Sequence, residues 1–477
     1  MTHRTVLKAL ALCIALAVTA TARAADAHAR KPNFIVIVGD DLGYADLGCQ
    51  GQSKDVKTPH IDSIAAGGVR FTNGYVSGAV CSPTRAGLMT GRYGTRFGFE
   101  QNPKGPHEEV GFGLPLDEVT LPQQLKKIGY ATGMVGKWHL GHLKGMLPHE
   151  RGFDSFFGFT GGLHRYINNE KPQADANAIQ RNGVPVGEPE YLTDAFTREA
   201  LSFIDASGDK PFFLYLPYNA VHTPQQAPPK YVSRFADVTD EKRKMMLAQL
   251  SAMDDGVGQV LAKLRERNIE KDTLVIFFSD NGGPTPGNAS LNNPFRGRKG
   301  QTLEGGIRIP FMMRWPGHVP EGKVDDRAVI QLDVFPTVVA AAGGELPAGK
   351  TLDGVDLMPY LSGQKSGEMH DAPYWRFGPW HAMRSGNWKL QWSGQQQPRL
   401  FDISADPTES NDLATANPKV LEDLLARYKA WDATLMKPRW AGRLEGGVTD
   451  DPPGKPGKSA QDEDEPRPAK GKAKKRK

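Results

Sequence analysis

Four short apolar runs constrain this chain more than any other feature: Asn33 to Val38 (NFIVIV), Tyr130 to Val135 (YATGMV), Pro211 to Leu216 (PFFLYL) and Thr273 to Phe278 (TLVIFF). None alternates apolar with polar residues as a half-exposed strand does, so each reads as a strand buried on both faces. Segments of helical pattern lie between them, at Leu121 to Ile128, Thr193 to Ile204 and Met245 to Arg267. Buried strands separated by helices predict an α/β fold with a mainly parallel sheet. A length of 477 residues accommodates one large domain of this kind with a satellite. With 39% hydrophobic and 24% charged residues the chain is neither disordered throughout, collagen-like nor a polytopic membrane protein.

The residues directly after each run carry the chemistry. The first run leads into Gly39-Asp40-Asp41, the second into Gly136-Lys137-Trp138-His139, the third into Asn219-Ala-Val-His222 and the fourth into Ser279-Asp280-Asn281-Gly282-Gly283. Open α/β sheets bind ligands beyond the carboxyl ends of their strands. Asp40, Asp41, Asp280 and Asn281 offer only oxygen ligands, which suits a hard cation such as Ca²⁺ or Mg²⁺. Singly, each also reads as a helix cap or a turn residue. Lys137, His139, His222 and Lys299, the last within Arg296-Gly-Arg-Lys-Gly300, suit an anionic phosphoryl or sulfuryl group.

The stretch Cys81-Ser82-Pro83-Thr84-Arg85 has the grammar of a helix start. Ser82 is placed to cap, Pro83 suits the first helical position, and Leu88 and Met89 are expected to face inward. Cys81 then lies beside a helix N-terminus, which favours anions. The alternative is a disulfide between Cys81 and Cys49 in an oxidising compartment.

Net charge contributes nothing to that argument. Of the formal +5, residues 1–24 supply three (Arg4, Lys8 and Arg23, with no acid), and 450–477 carry nine Lys+Arg against six Asp+Glu. The intervening 425 residues therefore carry one net negative charge. Residues 1–24, with a charged start, an apolar run from Ala9 to Val18 and Ala22-Arg23-Ala24, predict a secretory signal peptide rather than a stable membrane anchor or a buried N-terminal helix. The apolar-poor segment 450–477 predicts a disordered tail, solvated or able to contact polyanions.

The motifs together resemble the type I, formylglycine-dependent sulfatases of the alkaline phosphatase superfamily. Cys81 to Arg85 followed by Leu88-Met89-Thr90-Gly91 is similar to the family's C-x-P-x-R signature, and Gly129 to His139 to its second signature. Pro32 to Gly48, Arg151 to Phe159, Asn219 to Pro224, Ser279 to Gly283, Gly297 to Pro316 and Leu400 to Leu413 extend the resemblance over nearly the whole chain, in family order.

The resemblance implies a large mixed, mainly parallel sheet between helices (31–365), then a smaller C-terminal part (366–449) with a short antiparallel sheet and a helix. Ala382 to Trp392 reads as a hairpin within the latter, and Val420 to Trp431 as its helix. It also implies that a maturation enzyme oxidises Cys81 to formylglycine, whose hydrate attacks sulfur to give a covalent sulfo-enzyme. Arg85 and Lys137 are expected to hold the hydrate, and Lys137 and Lys299 to neutralise the sulfate oxygens. Asp40, Asp41, Asp280 and Asn281 are the implied ligands of one Ca²⁺. His222 is expected to steady the sulfate or protonate the leaving oxygen, and His139 to take a proton from the second hydroxyl as sulfate leaves. A serine or threonine nucleophile would leave a stable sulfate ester, whereas a gem-diol carries its own means of ejection. With Cys81 oxidised and Cys13 removed with the signal, Cys49 is expected to remain a thiol and the mature chain to contain no intramolecular disulfide.

For substrate, the family and the predicted export imply a sulfated small molecule or saccharide, with aryl sulfates as surrogates; nucleic acid is not an expected partner. Arg96, Phe97, Phe99, His142, His164 and Arg165 lie in loops near the motifs, as do Tyr166, Trp375, Arg376, Trp380 and His381. They either line a pocket or pack the two parts together. Two rival functions remain open. A phosphomonoesterase or phosphodiesterase of the same superfamily would use Ser or Thr and His-ligated metals, against which Asp280-Asn281 argues. A non-catalytic sulfated-glycan-binding protein would keep Cys81 unmodified.

Overall fold

The structure, a computed structural model, describes residues 30–103, 112–167, 177–187 and 191–440. The expected signal peptide and the tail at 450–477 lie outside the described residues.

The four apolar runs form β1 (Asn33–Gly39), β3 (Ala131–Lys137), β7 (Phe212–Pro217) and β8 (Thr273–Ser279). Joined by β2 (Val69–Tyr75), β4 (Ser155–Phe159), β5 (Gln180–Arg181), β6 (Val184–Pro185), β9 (Phe311–Arg314) and β10 (Lys323–Ile330), they make one sheet. Its order is β10-β2-β9-β8-β1-β7-β3-β4-β5-β6. The central strands β8, β1, β7, β3 and β4 run parallel, while β9 lies antiparallel between β2 and β8, so the sheet is mixed.

Alternate residues of β1 serve opposite sides. Phe34, Val36 and Val38 join one apolar cluster, and Ile35 and Ile37 the other. Helices α1 (Pro59–Ala66), α4 (Leu192–Ala206) and α5 (Glu241–Glu266) cover the second face with Ile61, Phe196 and Met246. On the first face lie α2 (Cys81–Thr90), α3 (Leu121–Lys127) and α7 (Val334–Ala341), through Leu88, Leu125 and Val338. The short α6 (Glu304–Ile307) precedes β9. Burial on both faces is why these strands read as continuous apolar runs.

The C-terminal part is an antiparallel meander of β11 (Tyr374–Phe377), β12 (Trp380–Ser385), β13 (Trp388–Ser393) and β14 (Arg399–Asp402), with α8 (Pro418–Asp432) against it. The expected hairpin is β12–β13. Its two-residue turn opens with Gly386 at φ 56°, a conformation that favours glycine. Trp375 Nε1 donates to Val76 O at 2.6 Å and Arg376 pairs with Glu100, which fastens the meander to the large domain, while the pair of Arg376 with Asp432 holds α8 to the meander.

Candidate active site

The loops beyond β1, β3, β7 and β8 meet at one rim, and all ten residues singled out there and at the start of α2 converge on it. Parallel strands place their carboxyl ends together, and two backbone bonds continue the pairing past the strands: Asp40 N donates to Ala220 O (2.8 Å) and Val221 N to Asp40 O (2.7 Å). At the end of β3, Gly136 has φ 133°, and a Cβ there would meet Pro217 O at 1.9 Å. Only glycine lets the backbones close in so that Lys137 reaches the rim.

Asp40, Asp41, Asp280 and Asn281 are all fully buried. Asp40 Oδ2 accepts from Lys137 Nζ at 2.6 Å, and its Oδ1 faces Cys81 Sγ at 3.5 Å. Asp280 Oδ2 takes a forked pair from Arg85 Nε and Nη2, at 3.0 and 2.7 Å, while Arg85 Nη1 donates to Lys137 O at 2.9 Å. Asp41 adopts a left-handed φ of 63°; its Oδ1 lies 2.8 Å from Lys299 Nζ and accepts from Asn281 Nδ2 at 2.7 Å. Three buried carboxylates thus face three cations, Arg85, Lys137 and Lys299.

Burial pushes the Asp41 carboxyl up, but Lys299 and His222 more than reverse this and hold it below the ordinary carboxylate range. Asp280 is pushed up to about 6 by burial and then by the neighbouring Asp40. Asn281 Oδ1 is buried with no hydrogen-bond partner. Hard oxygen donors, one of them orphaned, beside a carboxyl that is costly to ionise fit a divalent cation such as Ca²⁺. Ligand atoms of Asp40, Asp41, Cys81 and His222 also lie within 4.8 Å of one another.

Both histidines are neutral at pH 7. Burial, with Lys137 next, drives His139 well below its ordinary value. Burial brings His222 down to about 4 despite Asp41. His222 Nδ1 donates to Thr223 O at 2.7 Å, which leaves a lone pair at Nε2, 3.5 Å from Lys299 Nζ. His139 sits at φ 57° with Nδ1 unpartnered, and Gly162 leaves room for its ring, since a Cβ there would meet His139 Nε2 at 2.9 Å.

Cys81 is the first residue of α2, 1% exposed, and its thiol is pushed well up by burial and by Asp280. The helix start corrects two expectations. Pro83 is the third residue of α2 rather than the first. Ser82 does not cap α2, whose N-cap is Val80; its hydroxyl donates instead to the His139 carbonyl, tying the helix start to the β3 loop.

The structure also separates the loop residues into two groups. Arg96 pairs with Asp353 at 2.6 Å, Phe99 packs on Trp440, and His381 stacks on Trp392. Phe97, Trp375 and Trp380 are buried, and Tyr166 donates to the carbonyls of Asn219 and His222. With Arg376 these are packing residues rather than pocket lining. His164 is buried as well, whereas His142 and Arg165 keep part of their surface. Sequence reasoning missed Asn288, Asp46 and Arg243, which support the rim from outside.

Cys49 and Cys81 are both free thiols in the structure. Burial, then Asp62, pushes the half-buried Cys49 thiol up to about 12. Iodoacetamide at pH 8 is therefore expected to alkylate Cys49 much more slowly than an exposed cysteine; rapid labelling, read by peptide mass, would contradict this environment.

A buried ring of carboxylates and cations around one residue at a helix start suits the binding of an anionic group. Residues 32–344 match the sulfatase family, and 298–430 match the C-terminal region of N-sulphoglucosamine sulphohydrolase. Arylsulfatase J of Mus musculus is 32% identical, covering 89% of this chain and 81% of its own. N-acetylgalactosamine-6-sulfatase of Homo sapiens is 32% identical, covering 83% and 84%. The solved structure of Ps i-CgsB in complex with k-i-k-neocarrahexaose superimposes with a TM-score of 0.81 at 36% identity, covering 86% of this chain and 94% of that one. The chain belongs to the sulfatase family and is a sulfuric ester hydrolase.

Proposed function

We propose that the protein is an exported sulfatase of carbohydrate sulfates in which Cys81 is converted to formylglycine by a maturation enzyme and Asp40, Asp41, Asp280 and Asn281 hold one Ca²⁺. The observation that carries this reading is Cys81 itself. Its thiol is protonated and 3.5 Å from a carboxylate, so as cysteine it is a poor nucleophile at neutral pH.

A hydrated aldehyde at that position would supply a hydroxyl to attack sulfur, and the cation would polarise it and the sulfate oxygens. The chain's own residues do the rest. Arg85, fixed by Asp280 and the Lys137 carbonyl, orients residue 81 at the helix start. Lys137 and Lys299 neutralise sulfate oxygens, and Lys299 is held well above its ordinary value because Asp41 overrides the cost of burial. Neutral His139 can accept a proton at residue 81. His222 has Nε2 beside Lys299 and, once that nitrogen has taken up a proton, is placed to steady the sulfate or to protonate the leaving oxygen. His142 and Arg165 remain as candidates for sugar contacts.

The relatives' names favour a carbohydrate substrate, N-acetylgalactosamine-6-sulfatase in one and a bound neocarrahexaose in another. Residues 1–24 support export to the periplasm or medium, and no helix among the described residues is long and apolar enough to cross a membrane. We place the catalytic domain at 31–365 and the C-terminal subdomain at 366–449.

Two measurements on the active protein test this. The tryptic peptide containing Cys81 is expected to show the lower mass of an aldehyde in place of the thiol; an unmodified thiol in active enzyme would sink the mechanism. A panel of defined sulfated sugars is expected to include one with higher kcat/KM than an aryl sulfate. Release of sulfate from aryl esters alone would refute the carbohydrate reading.

A further inference from the structure

The loop after β8 returns to the rim at Asn288, a fully buried residue outside the set of groups that face residue 81. Its Nδ2 donates twice, to Asp41 O at 3.1 Å and to Val221 O at 3.2 Å. Its Oδ1 accepts from Ser290 N at 3.0 Å and Ser290 Oγ at 2.5 Å, so the whole amide is engaged and its orientation set. The two carbonyls belong to different strand-end loops, the one that carries Asp41 and the one that carries His222. Asp41 Oδ2 and His222 Nε2 face each other across the gap at 3.6 Å.

We propose that Asn288 is a positioning residue for the cation site, whose side-chain amide ties the β1 loop to the β7 loop and so sets the spacing between the Asp41 carboxylate and the His222 imidazole. The inference rests on the reading that Asp41 is a cation ligand.

Three observations carry it. Asp41 holds a left-handed backbone, which for a non-glycine residue is strained and persists only where its surroundings over-determine it. A hydrogen bond to its carbonyl is such a determinant. Second, loss of the amide would leave the Asp41 and Val221 carbonyls without this buried donor, which favours rearrangement of the loops. Third, the Asn288 loop is itself braced. Asp46 Oδ2 accepts from Leu291 N at 2.8 Å and from Gly43 N at 3.2 Å. Arg243, on α5, bonds Asp46 Oδ1 at 2.6 Å and Ala289 O at 3.1 Å. Gln225 Nε2 adds a bond to Asn288 O at 2.6 Å from the His222 side. A rigid helix therefore supports the amide, and the amide supports the rim.

The test is Ca²⁺ affinity, measured by titration calorimetry on metal-free, full-length protein carrying Cys81→Ala, so that turnover plays no part. Asn288→Ala is expected to weaken binding by about 10-fold or more, the usual effect of removing a group that orients metal ligands. Ser290→Ala, which removes one of the two donors to Asn288 Oδ1 and keeps the bond from Ser290 N, is expected to weaken it less. Thr337→Val removes a buried hydroxyl bonded to Leu357 N, far in sequence from the rim loops, and is expected to lower stability while leaving affinity unchanged. Equal affinity in the parent and the Asn288 variant overturns the inference, as does an equal loss in the Thr337 variant. Should Asn288→Ala fail to fold, Asn288→Leu, which keeps most of the volume and deletes the donor, takes its place, and unchanged affinity there overturns the inference. A parent that binds no Ca²⁺ refutes the cation-site reading, and the inference falls with it.

Discussion

Replacing Cys81 by alanine is expected to abolish sulfate-ester turnover, with kcat falling on the order of 10⁵-fold or more, as when a covalent nucleophile is removed from an otherwise intact site. The fold should survive. Cys81 opens α2, where alanine is a good helix former, and the loss of one small buried side chain costs about 1 kcal/mol. The ion pairs Lys137–Asp40 and Arg85–Asp280 do not pass through residue 81. Substrate binding should therefore persist, with KM or a directly measured Kd for a sulfated sugar changing far less than kcat. Progress curves on purified protein, with circular dichroism to confirm the fold, check both halves. Residual activity near that of the parent would exclude residue 81 as nucleophile and return the chemistry to a metal-activated water.

This separation of binding from chemistry was legible in the sequence because of how a parallel sheet is built. A strand buried on both faces shows itself as an apolar run, and its carboxyl end must lie at the ligand rim, so Asp40, Lys137, His222 and Asp280 could be grouped from their order along the chain. The family signatures then supplied Cys81 and Arg85.

Other features had no such local mark. The antiparallel strand β9 is four residues long, and so short an apolar run carries no mark of its direction. Ser82 looked like a cap because serine before Pro83 usually is one. The competing acceptor is the His139 carbonyl, 57 residues away, and nothing local announces it. Trp375 and Arg376 suited a sugar pocket by residue type, yet Val76 O, Glu100 and Asp432 engage them, which is a tertiary fact. Asn288 reads as an ordinary loop residue because its two acceptors lie 247 and 67 residues away.

The largest expected loss of stability comes from a residue that touches neither substrate nor metal. Lys389, on β13, is fully buried, with Nζ 2.7 Å from Glu304 Oε1 and 2.8 Å from Glu409 Oε1. Glu304 Oε2 also accepts from Tyr75 Oη at 2.8 Å and lies 3.2 Å from Arg308, and Glu304 N donates to Glu409 Oε2 at 2.7 Å. Lys389→Met keeps most of the volume and removes the charge, leaving two buried carboxylates to share what remains. Breaking a buried pair from one side costs about 3–5 kcal/mol, and urea unfolding at pH 7 should show a loss of that order. The pH dependence has a definite sign. Burial pushes Glu304 up, but Lys389 and then Arg308 more than offset it and hold the carboxyl at about 2 against an ordinary 4.5. A depressed carboxyl contributes stability above its unfolded pKa and loses it as pH falls toward the folded value. The gap between parent and variant should therefore be widest at neutral pH and narrow on acidification from about 4.5 toward 2. A gap that stays constant across that range would mean that lost packing, rather than the unpaired carboxylates, causes the defect. Glu304 follows Lys299 by five residues, and Thr302 Oγ1 donates to His381 O at 3.3 Å, so the C-terminal meander holds the segment that brings Lys299 to the rim. The folded fraction of the Lys389 variant should for that reason also lose kcat, which a purely local packing defect in the meander would leave unchanged.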